Sequence, residues 1–393
     1  MTLLTKSRMW MMGGVAMLGL AVAGSSLAAG GFPPLAPLGD PPVPADNKMS
    51  EAKVELGRLL FFDPRLGGDA SISCANCHEP EQGWAFSEEI SRGYPGTIHW
   101  RNSQSVINAA YYDKLFWAGS TPSLESQAPS AAKGGVAGNG ENDIMEARLR
   151  LIPEYVKQFN EVFGEPWPTI GNAWKAIAAF ERTLVQTDTP LDNYLKGDQS
   201  ALTEQQVRGK TLFEGKAGCI QCHNGPLATD QKYYNIGVPR STRWEEDGLA
   251  QITYRFELYA KGANEELYRT SKDDPGLYFR NKNEWSMGKF RTPTLRYTMY
   301  TAPYMRQGQF YTFEEVVDFY DAGGFDADGR TTTYLETKTP LIKKLNLSDQ
   351  EKEDLAAFLE AFSGEEILMA KPKLPEYQPL FTLDELKAAQ AAK

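Results

Sequence analysis

Cys74-Ala75-Asn76-Cys77-His78 and Cys219-Ile220-Gln221-Cys222-His223 together hold every cysteine of the 393-residue chain and two of its three histidines. Two thiols at this spacing can add to the two vinyl groups of one haem. The residue that follows then places an imidazole under the iron. A zinc ribbon would bring the two pairs close together in sequence, and a thioredoxin-like pair would open a helix after a core strand. Neither pattern is present. Cys74, Cys77, Cys219 and Cys222 are therefore read as the attachment points of two haem c groups, with His78 and His223 as the proximal iron ligands.

The surroundings of the two motifs repeat. Val54, Leu56, Leu59 and Leu60 give a helical pattern over Ser50 to Phe62, which Asp63-Pro64 ends. Thr203 caps a second helix over Glu204 to Phe213. An Ala/Phe-rich helix lies downstream of each motif, over Ala176 to Leu184 and Leu355 to Phe362. The repeat implies a mainly α fold with two tandem cytochrome c-like domains, each with one covalently bound haem. The expected boundaries are 50–199 for the N-terminal domain and 200–365 for the C-terminal domain, with a tail over 366–393. Ala128 to Asn142 reads as a mobile Ala/Gly-rich loop. Gly225 to Lys289 is a long insertion, either a surface excursion or a contact between domains.

The start of the chain has a different character. Lys6 and Arg8 precede an apolar run from Met9 to about Gly24, and Ser26-Leu27-Ala28-Ala29 supplies small residues for cleavage. Residues 1–29 read as a signal peptide, too short and glycine-rich for a membrane span. The expected location is the periplasm, with no membrane span after cleavage. Residues 30–49 form a Pro-rich leader, read as extended and flexible. Loss of Lys6 and Arg8 takes the net charge from −10 to −12. That sign argues against nucleic acid or anionic lipid as partners.

Further segments carry a family resemblance. Leu60-Phe61-Phe62-Asp63-Pro64-Arg65-Leu66, Arg101-Asn102-Ser103-Gln104-Ser105 and Phe116-Trp117-Ala118-Gly119 stand in the first half. Phe290-Arg291-Thr292-Pro293-Thr294-Leu295-Arg296, Thr301-Ala302-Pro303-Tyr304-Met305 and Glu314-Glu315-Val316-Val317-Asp318-Phe319-Tyr320 stand in the second. Together they resemble the bacterial di-haem cytochrome c peroxidases and their MauG-type relatives, from about residue 50 to 365. The resemblance implies that H2O2 reacts at the N-terminal haem, whose sixth position is open or displaceable. The C-terminal haem would be six-coordinate and handle electrons. It also implies that Trp117 stands between the haems as a relay and that Gln127 lies in the peroxide pocket. Asn102, with Thr301 and Pro303, would bind one Ca2+ between the domains.

The sixth ligand of the second haem separates two branches. Where the cytochrome c peroxidases carry methionine, this chain has Tyr320, as MauG-type proteins do; Met305 and Met287 are the other candidates. A phenolate favours the oxidised iron, so the resemblance points to a MauG-like enzyme that stores oxidising equivalents. It would then withdraw electrons from Trp or Tyr of a periplasmic partner protein. The alternatives are a cytochrome c peroxidase fed by a small cytochrome or cupredoxin, and a non-catalytic di-haem electron carrier. Three departures from the family pattern stand out. The glutamate expected ten residues beyond Gln127 is Ala137, with Ala131 where a proline is expected, which leaves Glu141 as the nearest carboxylate. His99 lies near the place of a mobile capping histidine. Ala217 replaces a tryptophan that MauG uses to draw electrons from its substrate.

Overall fold

A computed structural model of the chain describes residues 31–242, 246–325 and 332–378, with isolated positions 387 and 390. The expected signal peptide and the end of the C-terminal tail lie outside the described residues. The fold is mainly helical and repeats itself. In the first half, Ser50 caps α1 (Glu51–Phe62), and α1 packs along α5 (Ile170–Glu181). In the second, Thr203 caps α7 (Glu204–Glu214), which packs along α12 (Asp349–Glu360). Both pairs touch backbone to backbone at a glycine. A Cβ on Gly57 would lie 1.9 Å from the Ala176 carbonyl oxygen, and one on Gly209 would lie 1.9 Å from that of Asp354. One turn onward, Phe61 meets Phe180 and Phe213 meets Phe358, edge to face at 5.4 Å in both halves. The two closing helices start earlier than their apolar runs suggest. The first turn of α12 is polar, and Ser348 begins it with a reciprocal capping box to Glu351.

A second repeat lies between each haem motif and its closing helix. Asn108 and Tyr297 both have positive φ and open a short 3₁₀ turn. Phe116 and Gly119 have positive φ, as do Met305 and Gly308, in two matching turns. Each turn is closed by a bridge, Leu115 with Thr121 and Tyr304 with Phe310. Next come two nine-residue helices, α2 (Leu124–Ala132) and α11 (Phe313–Asp321). Every counterpart pair named here is 189 residues apart, as Asn108 is from Tyr297 and Leu124 from Phe313. The halves also exchange reciprocal hydrogen bonds at this interval. Asn102 N–H donates to the Arg306 carbonyl at 2.8 Å, and Arg291 N–H donates to the Trp117 carbonyl at 2.9 Å. That reciprocity is the mark of an approximate two-fold relation between halves.

Two expectations need correction, and one left open is decided. The leader is extended but pinned. Leu35 is buried in the second-half core, Asn47 donates to Glu125 and to the Lys175 carbonyl, and Arg296 donates to the Ala36 carbonyl. Proline removes backbone donors but leaves carbonyls and side chains free to bond. The Ala128–Asn142 stretch is not a mobile loop. Ala128 to Ala132 complete α2, and the rest folds back through Gly138 N–H to the Ala131 carbonyl and Gly140 N–H to the Ala132 carbonyl. Small residues permit that close approach; a Cβ on Gly138 would lie 2.3 Å from the Ala132 oxygen. The insertion, finally, is a contact between halves. Its helices α8 (Gly248–Ala260), α9 (Glu265–Thr270) and α10 (Tyr278–Asn281) bury Ala250, Tyr254, Leu258 and Phe279 against Ile90, Ile98, Trp100 and Val136. Beside them Asp274 pairs with Arg101 and Asp273 with Arg306, each at 2.6 Å. The tail crosses the other way: Trp84 donates to the Ile367 carbonyl at 2.6 Å, and Ile367, Met369 and Leu374 pack on the first core. Among the described residues no helix is long and apolar enough to cross a membrane.

Candidate functional site

One continuous cavity of about 800 Å³ runs between the halves and carries both pentapeptides on its wall. Each motif sits on a short 3₁₀ turn, Cys74–Asn76 and Cys219–Gln221, that presents its cysteines and histidine together. His78 Nδ1–H donates to the Trp84 carbonyl at 3.3 Å, and His223 Nδ1–H to the Ala228 carbonyl at 3.2 Å. In both rings Nδ1 is spent on backbone, so Nε2 is the nitrogen left for iron. Burial pushes the His78 imidazole down to about 4 and lowers that of His223, which keeps both neutral as ligands must be. All four cysteines are free of disulfides. Burial pushes the thiols of Cys74, Cys77 and Cys219 up to about 12, the opposite of a reactive redox pair. This donor set fits one covalently held haem in each half.

The cavity gathers most of the other residues singled out. Trp117, Gln127 and Tyr320 line it, as do Asn102, Thr301 and Pro303. Trp117 is held at the seam between halves, with Nε1–H donating to the Asn102 carbonyl at 2.9 Å. Asn102 spends its amide nitrogen on the Phe86 and Glu88 carbonyls, which leaves its oxygen for a cation. Among the described residues no group of three His, Cys, Asp or Glu could hold a metal. The Asn102 side-chain oxygen is the hard donor that this place offers to a cation. Met305 lines the cavity; Met287 does not. His99 also lines it, stacked on Trp100 at 3.9 Å, with Nδ1 accepting from Arg101 N–H. Burial, reinforced by the Arg101 charge, pushes that imidazole down to about 3.

Glu141 is not brought to the site. It is exposed at the N-cap of α3 (Asn142–Arg150) and does not line the cavity, because the preceding stretch folds back on α2 instead of reaching inward. A different carboxylate does reach it. Glu181, at the end of α5, is buried on the cavity wall, with Oε2 lacking a hydrogen-bond partner. Burial pushes its carboxyl up to about 8, so it is mostly protonated at neutral pH. The signal was one charge inside the Ala/Phe run of α5.

The two distal helices differ where it matters. Tyr320 on α11 faces the cavity, and burial, with Cys219 and Cys222 nearby, pushes its phenol up. Its counterpart on α2, 189 residues earlier, is Ala131, which also lines the cavity but carries no ligating atom. Gln127 on α2 corresponds to Val316 on α11.

A family profile described as di-haem cytochrome c peroxidase matches residues 51–200. The chain is 54% identical over 370 residues to a protein of Pseudomonas sp. (strain SCT) named cytochrome-c peroxidase IdrP1, covering 93% of this chain and 96% of the relative. The chain belongs to the di-haem cytochrome c peroxidase family. This peroxidase-type oxidoreductase carries two c-type haems, as the family does. It is also 32% identical to methylamine utilization protein MauG of Methylorubrum extorquens, over 85% of this chain and 84% of the relative. Among solved structures, a MauG-like protein associated with microbial copper homeostasis superposes with a TM-score of 0.71 at 32% identity, over 85% of this peroxidase and 95% of that chain.

Proposed function

We propose that this chain reduces hydrogen peroxide at the haem of His78, with electrons donated by a small periplasmic protein and passed through the haem of His223. The observation that carries this reading is the contrast between Ala131 and Tyr320 at matching places on α2 and α11. At this place on the helix α2 offers no ligating atom, whereas α11 offers a phenol. When bound, the haems supply the redox chemistry that splits the O–O bond. Peroxide takes up two electrons and two protons and leaves as two waters.

The chain's own groups have the following roles in this reading. Cys74, Cys77, Cys219 and Cys222 anchor the haems, and His78 and His223 are their proximal ligands. Gln127 donates its amide to the bound peroxide and orients it. Trp117, fixed at the seam, shortens the electron's path between halves. The buried acid of Glu181 holds a proton at the cavity wall, a place the exposed Glu141 does not reach. Asn102, with the Thr301 and Pro303 carbonyls, would hold Ca2+. The domains divide at 199/200, and residues 1–29 are removed on export to the periplasm.

A second reading, oxidation of Trp or Tyr on a partner protein, is favoured by Tyr320, because a phenolate holds iron oxidised. Similarity to proteins named cytochrome-c peroxidase favours the first. The test uses ferric holoprotein. Electron paramagnetic resonance should show one high-spin and one low-spin haem, and Tyr320→Phe should change only the low-spin signal. An unchanged signal sinks the ligand assignment. Two low-spin haems inert to peroxide would indicate an electron carrier. Rapid peroxide turnover with reduced cytochrome c supports the first reading over the second.

A further inference from the structure

A tyrosine–carboxylate pair stands at the outer edge of the second haem site. β1 (Tyr233–Tyr234) pairs antiparallel with β2 (Phe290–Arg291), which fixes the backbone of Tyr234 opposite Phe290. Tyr234 lines the cavity yet remains partly exposed. Its hydroxyl donates to Asp230 Oδ2 at 2.8 Å. Cys222, whose sulfur becomes a thioether when haem is attached, lies beside the pair. Asp230 is held from both sides. Its N–H donates to the Cys222 carbonyl at 2.8 Å, and its Oδ1 accepts from Lys232 N–H at 2.9 Å. One carboxylate oxygen thus maintains the turn while the other is aimed at the phenol.

A phenol loses an electron readily only when its proton has somewhere to go, since the oxidised, still protonated form is a strong acid. A hydrogen-bonded carboxylate is such a place. The pair therefore combines a place beside a haem attachment point, contact with solvent and a fixed proton acceptor.

We propose that Tyr234, with Asp230 as its proton acceptor, is a redox relay that passes single electrons from a docked protein to the second haem through the Cys222 edge. This rests on the peroxidase reading above and adds the port by which electrons enter. In the forward step Tyr234 gives one electron to the oxidised haem site and its phenolic proton to Asp230. An electron from the donor then restores Tyr234 as the same proton returns. Two such cycles supply the two electrons that peroxide consumes, and Asp230 takes up no net proton.

The test uses the di-haem holoprotein, its Tyr234→Phe and Asp230→Asn variants, and reduced mitochondrial cytochrome c as donor. After one equivalent of peroxide without donor, the wild type should give a tyrosyl radical signal and oxidation of Tyr234 detectable by mass spectrometry. Both should be lost in Tyr234→Phe. Electron delivery from reduced cytochrome c should slow about tenfold in Tyr234→Phe and in Asp230→Asn. The reduction potentials of both haems and the rate of the initial peroxide reaction should not change. Tyr234→Phe with unchanged radical signal and unchanged delivery overturns the relay. A uniform shift in the haem potentials that accounts for the slower delivery also overturns it, in favour of a structural role. Failure of the wild type to react with peroxide would instead defeat the peroxidase reading.

Discussion

α2 and α11 are the same helix used twice. Each has nine residues, each begins at a Ser or Thr with a reciprocal capping box, and each follows a turn with two positive-φ residues. Their sequences agree only at Glu125 and Glu314, and two of the differences bear on the chemistry. α11 carries Tyr320 and Val316, which offer a ligand and an apolar neighbour. α2 carries Ala131 and Gln127, which offer space and a hydrogen-bond donor. A duplicated scaffold can therefore hold one haem closed and the other open without a change of backbone. The asymmetry on which the proposed chemistry depends is a matter of about two residues.

The most direct way to break the comparison is to erase it. Ala131→Tyr should place a phenol in the first pocket, convert its high-spin signal to low-spin and slow the peroxide reaction about 100-fold or more. Stopped-flow spectroscopy and electron paramagnetic resonance read both effects. An unaltered rate would mean that α2 does not face the sixth position. Next in size are the glycine contacts. Gly57→Val and Gly209→Val should each cost more than about 3 kcal/mol, because the new carbons meet carbonyl oxygens rather than movable side chains. Thermal melts of both variants should fall by similar amounts if the halves are equivalent at the level of packing.

A smaller effect comes from Glu181, which has no carboxylate counterpart facing the second haem motif. Its folded-state value of about 8 lies above that of the unfolded chain. Its contribution is thus complete below about pH 4.5 and lost as pH rises through 8. From pH 5 to 8 the loss is on the order of 3 kcal/mol. Glu181→Gln should remove that slope from the pH dependence of the melting temperature. A parallel slope in the variant would show that another group is responsible. The smallest change is Leu35→Ala, expected to cost roughly 2–3 kcal/mol and to loosen the second core, although the residue precedes the whole first half in the chain. Hydrogen exchange resolved by segment measures that.

Much of this was legible in the sequence. Ser50, Asp63 and Thr203 marked helix ends because capping and proline chemistry are local. The pentapeptides specified haem attachment because the chemistry needs those residues at that spacing. The equivalence of Ala131 and Tyr320 was not visible, since only Phe116, Gly119 and their counterparts at positive φ fix the register between halves. Glu141 was chosen by proximity in sequence, whereas Gly138 and Gly140 fold that stretch back on α2. Glu181 was overlooked because it sits in a helix that otherwise reads as core. The insertion was ambiguous for a related reason: Tyr254 and Phe279 look like surface aromatics until Trp100 and Val136 are brought against them from a distant segment.

The crossed ends of the chain have a consequence for assembly. Residues 32–36 belong to the core built by 191–362, while residues 367–374 lie on the core built by 54–184. The leader is made first, yet its docking site is incomplete until α12 has been made. The two halves therefore fasten each other only when the whole polypeptide has been made, like a latch that closes after both doors are hung.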